Sequence, residues 1–499
     1  MDQFINSIKP QKVYLDSADK AMAIANIAFY YWYENAKREP RETFMPAKAL
    51  EQAFYTTLCD FSHLAGVLKT DSNSRIFVQV EADNLNMPIY TDTSCDIDFD
   101  TIRKSGFDTK LLNSTFDHAR DVPAPASFFR STIKLAEAHV IRLKNNSGVC
   151  LFVSVVHCLV DGQGYTTFVK RWAEISRWIL SRNATTNGSF PEKHYIHDRS
   201  FYSEFWDIGT NRIDQSTRNA IDKGGNALTR WIAWLSPETR GKLIKLLVLQ
   251  DKRINCYFRI QKENIDSLRA TAQDNVSEGM RISTNDVLTA AIGISCLQSM
   301  RAVNIERQSR LIPSTLQFIF GKDEEPNDAS LLVVASLRPR VNRQDVYDYT
   351  GNMTVARAAV IPMNQLKVEP TPKTLASITK QIRTMVSDMD AQAVGQHCHF
   401  VNKKSDGYVR LMMGMLGYKY KLAVSNHLGF DHYGVDFGMG APILVRPAFL
   451  SFPNSVLIMP CHPDVGGCEI AMTLTLDVAE KVIRNTTWMS LVDKFDFNV

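Results

Sequence analysis

A buried strand that ends in a histidine and then turns into a helix is the feature that most constrains this fold. The apolar run from Cys150 to Val156 is typical of a strand buried on both faces. His157 ends that run, and Asp161 and Gly162 follow in a His-x-x-x-Asp-Gly pattern. A helix is predicted next, because apolar side chains recur at three- and four-residue spacing at Tyr165, Phe168, Trp172, Ile175 and Ile179. The pattern predicts an α/β fold with a histidine at a strand end, where open α/β sheets place their sites.

This histidine has two interpretations when the motif is taken alone. A lone histidine on an apolar strand is more often a buried residue satisfied by the backbone than a functional group. Asp161, four residues on, could hold the turn or pair with an arginine. Gly162 could adopt a backbone conformation closed to other residues and let a ligand come close. A second motif is needed to decide between the interpretations.

That second motif lies near the other end of the chain. Residues 436–440 read Asp-Phe-Gly-Met-Gly, and Ser425-Asn426-His427 precedes them. Together with His-x-x-x-Asp-Gly, this stretch resembles the BAHD family of CoA-dependent acyltransferases, whose hallmarks are HxxxDG and a late DFGWG. Three further segments also resemble the family, so that the resemblance covers most of the chain: 283–290, 331–352 and 455–476.

The resemblance implies two chloramphenicol-acetyltransferase-like α/β domains. Each would be a mixed β-sheet with flanking helices, and the active-site channel would lie at their interface. The length of 499 residues is also long for a single core. We expect an N-terminal domain at 1–182 that carries HxxxDG, a crossover at 183–250, and a C-terminal domain at 251–499 that carries DFGMG. Part of the C-terminal half is expected to complete the first sheet.

Local patterns predict several elements within this framework. A hairpin is predicted from 136–143 and 150–156, because Asn145-Asn146-Ser147-Gly148 is a good turn. The apolar, aromatic-rich segment 19–35 is interpreted as a helix. Other predicted helices cover 47–64, 237–249, 262–272 and 372–389, and other predicted strands cover 11–16, 75–80 and 254–260.

The family resemblance also implies a role for each motif residue. His157 would be the general base, since the pKa of an unperturbed histidine lies near working pH. Ser425 matches the family's oxyanion hydroxyl, although a hydroxyl that caps local backbone is an equally good interpretation. Asp161 would pair with an arginine and point away from the site. Asp436 would hold its loop, in which Gly438 and Gly440 let the chain turn.

Two residues depart from the family pattern. Met439 stands where the family usually has Trp, and methionine can fill a hydrophobic gap with a less defined shape. His427 stands where many members have Trp, and we expect it to alter the acceptor pocket. The looser DFG region resembles that of fungal members such as the trichothecene O-acetyltransferases.

The expected reaction moves an acyl group from acyl-CoA, as co-substrate, to a small-molecule hydroxyl or, second, an amine. The acceptor is expected to be a secondary metabolite, and no permanently bound cofactor is expected. One alternative is a condensation-type domain that forms amides or esters and also uses HxxxDG. Another is a non-catalytic binding or regulatory relative that keeps the fold.

Composition excludes several other classes of function. The formal charge of +4 without a basic block argues against a nucleic-acid surface, and no apolar run is long enough to span a bilayer. Nine cysteines without CxxC pairs predict reduced thiols in a cytoplasmic protein, which we expect to be a monomer. No metal is expected, since alternate residues of His397-Cys398-His399 would face opposite ways on a strand.

Overall fold

Most of the chain is described by a computed structural model. It describes residues 8–16, 18–19, 25–72, 75–112, 133–182, 192–201, 253–276, 279–311, 325–341, 343–390, 418–448, 450 and 454–498. The predicted helix at 237–249 and the segment His397-Cys398-His399 lie outside these residues. Most of the predicted crossover at 183–250 also lies outside them. The domain limits therefore stay a prediction.

The described residues contain fifteen strands and nine α-helices. The strands are β1 (Gln11–Tyr14), β2 (Asn26–Glu34), β3 (Val67–Thr70), β4 (Ile76–Val80), β5 (Ile89–Ser94), β6 (Ala136–Arg142), β7 (Gly148–Val156), β8 (Arg253–Ile260), β9 (Asp328–Ser336), β10 (Thr354–Pro362), β11 (Lys421–Asn426), β12 (Leu444–Pro447), β13 (Ser455–Pro460), β14 (Cys468–Thr475) and β15 (Lys494–Asn498). The helices are α1 (Ala47–Asp60), α2 (Phe99–Lys104), α3 (Gly162–Arg182), α4 (Lys262–Gln273), α5 (Thr284–Leu311), α6 (Met363–Leu366), α7 (Pro372–Ser387), α8 (Leu476–Ile483) and α9 (Thr486–Met489).

Two mixed sheets dominate the architecture, as predicted. The five-stranded sheet has the order β12-β2-β7-β6-β5, and its last pair is parallel. The seven-stranded sheet has the order β10-β9-β11-β13-β14-β8-β15, with β11 parallel to both of its neighbours. A small antiparallel sheet, β1-β4-β3, stands apart from both. Strand β12 comes from the C-terminal half of the chain, yet it pairs with β2 in the first sheet.

Helices cover the sheets through separate apolar clusters. Helices α1 and α3 pack together against the first sheet, and the indole of Trp172 donates a hydrogen bond of 2.9 Å to the carbonyl of Leu50. Helices α4, α5, α7 and α8 bury their apolar faces against the second sheet. The sheets are tied by Arg446 on β12, whose guanidinium makes two hydrogen bonds, of 2.8 and 2.6 Å, to Glu469 on β14. This buried pair fixes how one sheet meets the other.

The prediction of a helix over 19–35 is wrong, since residues 26–34 form β2. This strand lies between β7 and β12 and is buried on both faces. Phe29, Tyr31 and Tyr33 pack into the cluster with α1 and α3, whereas Tyr30 and Trp32 pack into the cluster on the opposite face. Because both faces are apolar, the sequence lacks the alternation that identifies a strand.

The other predicted elements within the described residues are confirmed, with small changes at their ends. The hairpin forms from β6 and β7, which pair antiparallel. The helix predicted over 47–64 ends at Asp60, and a 3₁₀ turn follows at Ser62–Ala65. The helix predicted after the histidine motif is α3, and the strand before it is fully buried. His157 therefore lies where a central strand of the first sheet ends.

Candidate active site

A channel lies between the two sheets, and its described part encloses about 250 Å³. From the first sheet and the turn that follows β7 it is lined by residues 25–29, His157, Asp161 and Gly162. The second sheet contributes alternate residues of β9, Leu332, Val334 and Ser336, together with residues 423–427 and 455–457. The predicted histidine thus opens into a space that both sheets line, and such a cleft with a few polar groups is a common location of a ligand site.

His157 is held by its backbone, and its ring is only partly buried. Its backbone N–H donates a hydrogen bond of 2.9 Å to the carbonyl of Ala25, at the start of β2. The Nδ1 atom of the ring is buried, which leaves Nε2 as the nitrogen on the channel side. Burial lowers the pKa of His157, although the nearby carbonyls and Asp161 act in the opposite direction. The ring is therefore neutral near pH 7 and able to accept a proton.

The turn that carries His157 is clamped by residues that sequence reasoning missed. Asn352 donates through Nδ2 to the carbonyl of His157, at 2.7 Å, and to Oδ1 of Asp19, at 2.8 Å. Arg199 forms an ion pair of 2.9 Å with Asp19 and donates to the carbonyl of Leu159 at 2.7 Å. These four segments are far apart along the chain, so only folding reveals the clamp.

Asp161 pairs with Arg338 on the buried side of the same turn. The two guanidinium nitrogens of Arg338 lie 2.5 and 3.1 Å from the carboxylate oxygens. The carboxylate also accepts hydrogen bonds from the backbone N–H groups of Gly164 and Met353, both at 3.0 Å. Arg338 donates in addition to the backbone carbonyls of Val346, Tyr349 and Gly351. All four of these contacts are to Arg338 or to backbone N–H groups, and none of them involves the ring of His157.

Gly162 is required for space and not for an unusual backbone conformation. The expectation of a special conformation is wrong, because positive φ angles occur at other described glycines and not at this one. A Cβ atom at this position would lie 2.5 Å from the ring of Phe430 and 3.0 Å from Nε2 of His427. Any larger residue would therefore displace the rings of Phe430 and His427 or the first turn of α3.

Ser425 and His427 lie on one face of the chain at the end of β11. Leu422 and Val424 point into the apolar core of the second sheet, so Ala423, Ser425 and His427 point towards the channel by strand alternation. The backbone N–H of His427 continues the ladder with a 2.8 Å hydrogen bond to the carbonyl of Ile458. The fold therefore brings Ser425 and His427 to the same channel as His157.

His427 has a buried partner that the sequence motifs did not indicate. Its Nδ1 atom lies 3.1 Å from Nε2 of His432, and the two rings are nearly parallel with their centroids 5.4 Å apart. Phe29 packs against both rings, with centroid distances of 5.8 and 4.9 Å. The spacing His-x₄-His could have been noticed in the sequence, but nothing there says that the two rings meet.

The Asp436 loop lies away from the channel, packed against the first sheet and α3. Oδ1 of Asp436 accepts hydrogen bonds from the backbone N–H groups of Gly438 and Gly440, at 2.7 and 2.8 Å. Both glycines have positive φ angles, of 102° and 93°, which other residues rarely adopt. Phe437 is fully buried and meets the indole of Trp172 edge-on at 5.0 Å. Among the described lining residues, none belongs to this loop.

Met439 keeps a partly buried position against the core of the first sheet. The loop is held there by other contacts, including a 2.6 Å hydrogen bond from the hydroxyl of Tyr33 to the carbonyl of Val435. Arg177 on α3 also donates to the carbonyl of Asp436. The loop therefore persists with methionine in place of the tryptophan that the family usually has.

Neither a membrane span nor a metal cluster stands out in the part of the chain that the structure describes. None of its helices is long and apolar enough to cross a bilayer. In the same residues, no three His, Cys, Asp or Glu side chains converge as metal ligands would. The eight cysteines that fall within the described ranges are all free thiols.

The fold and site define a two-sheet α/β protein with a histidine channel between its sheets. Residues 6–194 and 251–485 match the model of the Transferase family. The chain belongs to this family, and the predicted resemblance to BAHD-type acyltransferases is confirmed at that level.

Relatives and solved structures agree with this assignment. The chain is 22% identical over 459 residues to a malonyl-coenzyme:anthocyanin 5-O-glucoside-6'''-O-malonyltransferase of Salvia splendens, covering 89% of this chain and 84% of that one. It is 21% identical over 408 residues to a malonyl-CoA:anthocyanidin 5-O-glucoside-6''-O-malonyltransferase of Arabidopsis thaliana, covering 79% and 78%. TRI101 of F. sporotrichioides, whose structure was solved with coenzyme A and T-2, has the same fold. Its TM-score is 0.67 at 15% identity, with 98% and 99% of the chains covered.

Proposed function

We propose that this protein transfers an acyl group from acyl-CoA to a hydroxyl group of a small molecule. The observation that carries the proposal is the position of His157, whose ring faces a channel that both sheets line. The malonyl-CoA-dependent relatives and the structure of TRI101 with coenzyme A support a CoA thioester as the donor. An amine is the second choice of acceptor.

The chemistry requires one base, and His157 supplies it. As the hydroxyl oxygen attacks the thioester carbon, Nε2 of His157 takes the hydroxyl proton. The C–S bond then breaks, the proton passes to the sulfur of CoA, and the products are an ester and free CoA. The role requires a neutral ring with its proton on Nδ1 and a free lone pair on Nε2, and burial favours the neutral ring by lowering the pKa of His157.

Ser425 is our candidate donor to the oxyanion. A tetrahedral intermediate places negative charge on the former carbonyl oxygen, and donors fixed near that oxygen lower the barrier. Ser425 points into the channel from β11, on the sheet opposite His157. A thioester bound between the two would present its carbonyl oxygen to Ser425 and its carbon to the acceptor hydroxyl that His157 deprotonates.

The direct test is acyl transfer by the purified full-length chain. Acetyl-, malonyl- and aromatic acyl-CoA are each incubated with panels of small-molecule alcohols and amines, and both free CoA and acylated products are measured. We expect acceptor-dependent release of CoA and a product heavier by one acyl group. Transfer from an acyl-carrier protein but not from CoA would favour a condensation-type reaction. Binding without turnover across all donors would favour a non-catalytic relative.

Cys158 is expected to take no part in the transfer, although it adjoins the base. Its thiol is fully buried in the apolar core, and burial raises its pKa far above the ordinary value. The reactive thiolate is therefore suppressed. Replacing Cys158 with alanine should retain most activity, and initial-rate plots for donor and acceptor should intersect, as a ternary complex requires. Isolation of an acylated Cys158 that can pass its acyl group to the acceptor would contradict direct transfer.

A further inference from the structure

A buried pair of histidines borders the channel beside His157. His432 is fully buried and His427 is 8% exposed, and Nδ1 of His427 lies 3.1 Å from Nε2 of His432. The rings are nearly parallel, with an interplanar angle of 10°. Phe29 and Phe430 enclose them, with Phe430 edge-on to His427 at 4.5 Å. Two polar rings in an apolar setting must share their protons in a defined way.

Each ring of the pair is neutral. Burial lowers the pKa of His432 to about 3, and burial together with the neighbouring His432 and His157 lowers the pKa of His427 well below the ordinary value. A neutral imidazole carries one N–H donor and one acceptor nitrogen. The short contact between the rings therefore contains one N–H donor. Either Nδ1 of His427 or Nε2 of His432 carries this proton.

The surroundings of His432 decide between the two arrangements. Its Nδ1 atom is buried and has no hydrogen-bond partner among the described residues. If His427 donated from Nδ1, then His432 would carry its own proton on that orphaned atom, and a buried N–H without an acceptor is rare. Donation from Nε2 of His432 to Nδ1 of His427 avoids this and gives both rings the ordinarily preferred Nε2–H tautomer. His427 then carries its only proton on Nε2.

The Nε2 atom of His427 lies beside Gly162, and both residues line the channel. A Cβ atom on Gly162 would lie 3.0 Å from it, and Gly162 belongs to the turn that carries His157. Within the described part of the chain, this nitrogen has no hydrogen-bond partner. The channel lining combines apolar side chains, among them Ile27, Phe29, Phe430 and Leu450, with a few polar side chains that include His157 and Ser425. A small number of polar groups in a mainly apolar lining is how small-molecule sites fix the orientation of a ligand.

We propose that His432 is a positioning residue that fixes His427 as the Nε2–H tautomer, and that His427 donates this hydrogen bond to the acceptor. The preferred acceptors then carry a second oxygen, as a hydroxyl, ether or carbonyl, next to the hydroxyl that is acylated. The choice of acceptor rests on the proposed acyl transfer, whereas the tautomer does not.

The kinetic test compares a vicinal diol with its monodeoxy analogue as acceptors, with the same acyl-CoA. His432→Phe keeps a ring in the buried space but removes the N–H that holds His427. We expect the preference for the diol, measured as the ratio of kcat/KM values, to fall about 10-fold, as one lost hydrogen bond predicts. The KM for acyl-CoA should not change. His432→Gln is the matched control, because its amide N–H can replace Nε2–H and should keep most of the preference.

A second measurement determines the tautomer of His427 and does not depend on enzymatic turnover. The full-length chain labelled with ¹⁵N-histidine should show His427 protonated on Nε2, with its signals identified by their loss in His427→Gln. A wild-type signal from a proton on Nδ1 would overturn the proposal, whatever the activity. An equal loss of kcat/KM for both acceptors in His432→Phe would also overturn it, because the histidine pair would then be a packing feature or an oxyanion donor. If the tautomer is as expected but no acyl transfer occurs, the proposed function fails and the positioning role of His432 stands.

Discussion

Replacing His157 with alanine is expected to lower turnover by about 10²–10⁴-fold, the range for removal of a general base. The clamp on this turn acts through the backbone carbonyls of His157 and Leu159, which the substitution leaves in place. The variant should therefore fold normally and bind acyl-CoA with little change. Initial rates at saturating donor and acceptor measure the effect.

His194→Ala provides the matched control, because that histidine is exposed and lies outside the described channel lining. A pH profile identifies the base further. Since burial lowers the pKa of His157, kcat/KM of the wild type should be level near pH 7 and should decline only below about pH 6.5, as the ring gains a proton. Near-normal turnover of a well-folded His157→Ala protein would rule out this base.

Replacing Asp161 with asparagine is expected to cost about 3–5 kcal/mol of folding free energy, because it leaves a buried cation without its partner. Arg338 is 2% exposed and would keep only its hydrogen bonds to carbonyls. The turn after β7 should loosen, so activity should fall together with stability. Denaturant unfolding and activity, measured on the same preparations, check the two effects.

Two further variants distinguish the loss of the buried Asp161–Arg338 ion pair from the general effect of removing a charge. Asp266→Asn removes one partner of the exposed pair with Arg269, at 3.5 Å on α4, and should change stability by no more than about 1 kcal/mol. Adding Arg338→Met to Asp161→Asn removes the stranded charge and should recover part of the lost stability. If Asp161→Asn abolished activity with unchanged stability and an unmoved His157, the carboxylate would instead have a direct part in the chemistry.

Several features of the site follow from the sequence alone, because they depend on neighbours along the chain. The strand before His157, the turn and the helix after it occupy 35 consecutive residues, with β7 at 148–156 and α3 at 162–182, so periodicity identifies them. The two glycines of the Asp436 loop could be assigned to a turn for the same reason, and both have positive φ angles. The family also follows from these motifs and is confirmed.

The tertiary structure decided what depends on contacts between distant segments. Strand β2 could not be identified from the sequence, because both of its faces pack into apolar clusters. A strand with one face in solvent would instead show alternating apolar and polar residues. Arg338 as the partner of Asp161, Asn352 and Arg199 as the clamp, and His432 beside His427 are all pairings across the fold. Sequence periodicity reports which side of an element is apolar, but burial and hydrogen bonding between elements are fixed only when the chain packs. The candidate base could therefore be predicted from the sequence, whereas the groups that hold the site could not.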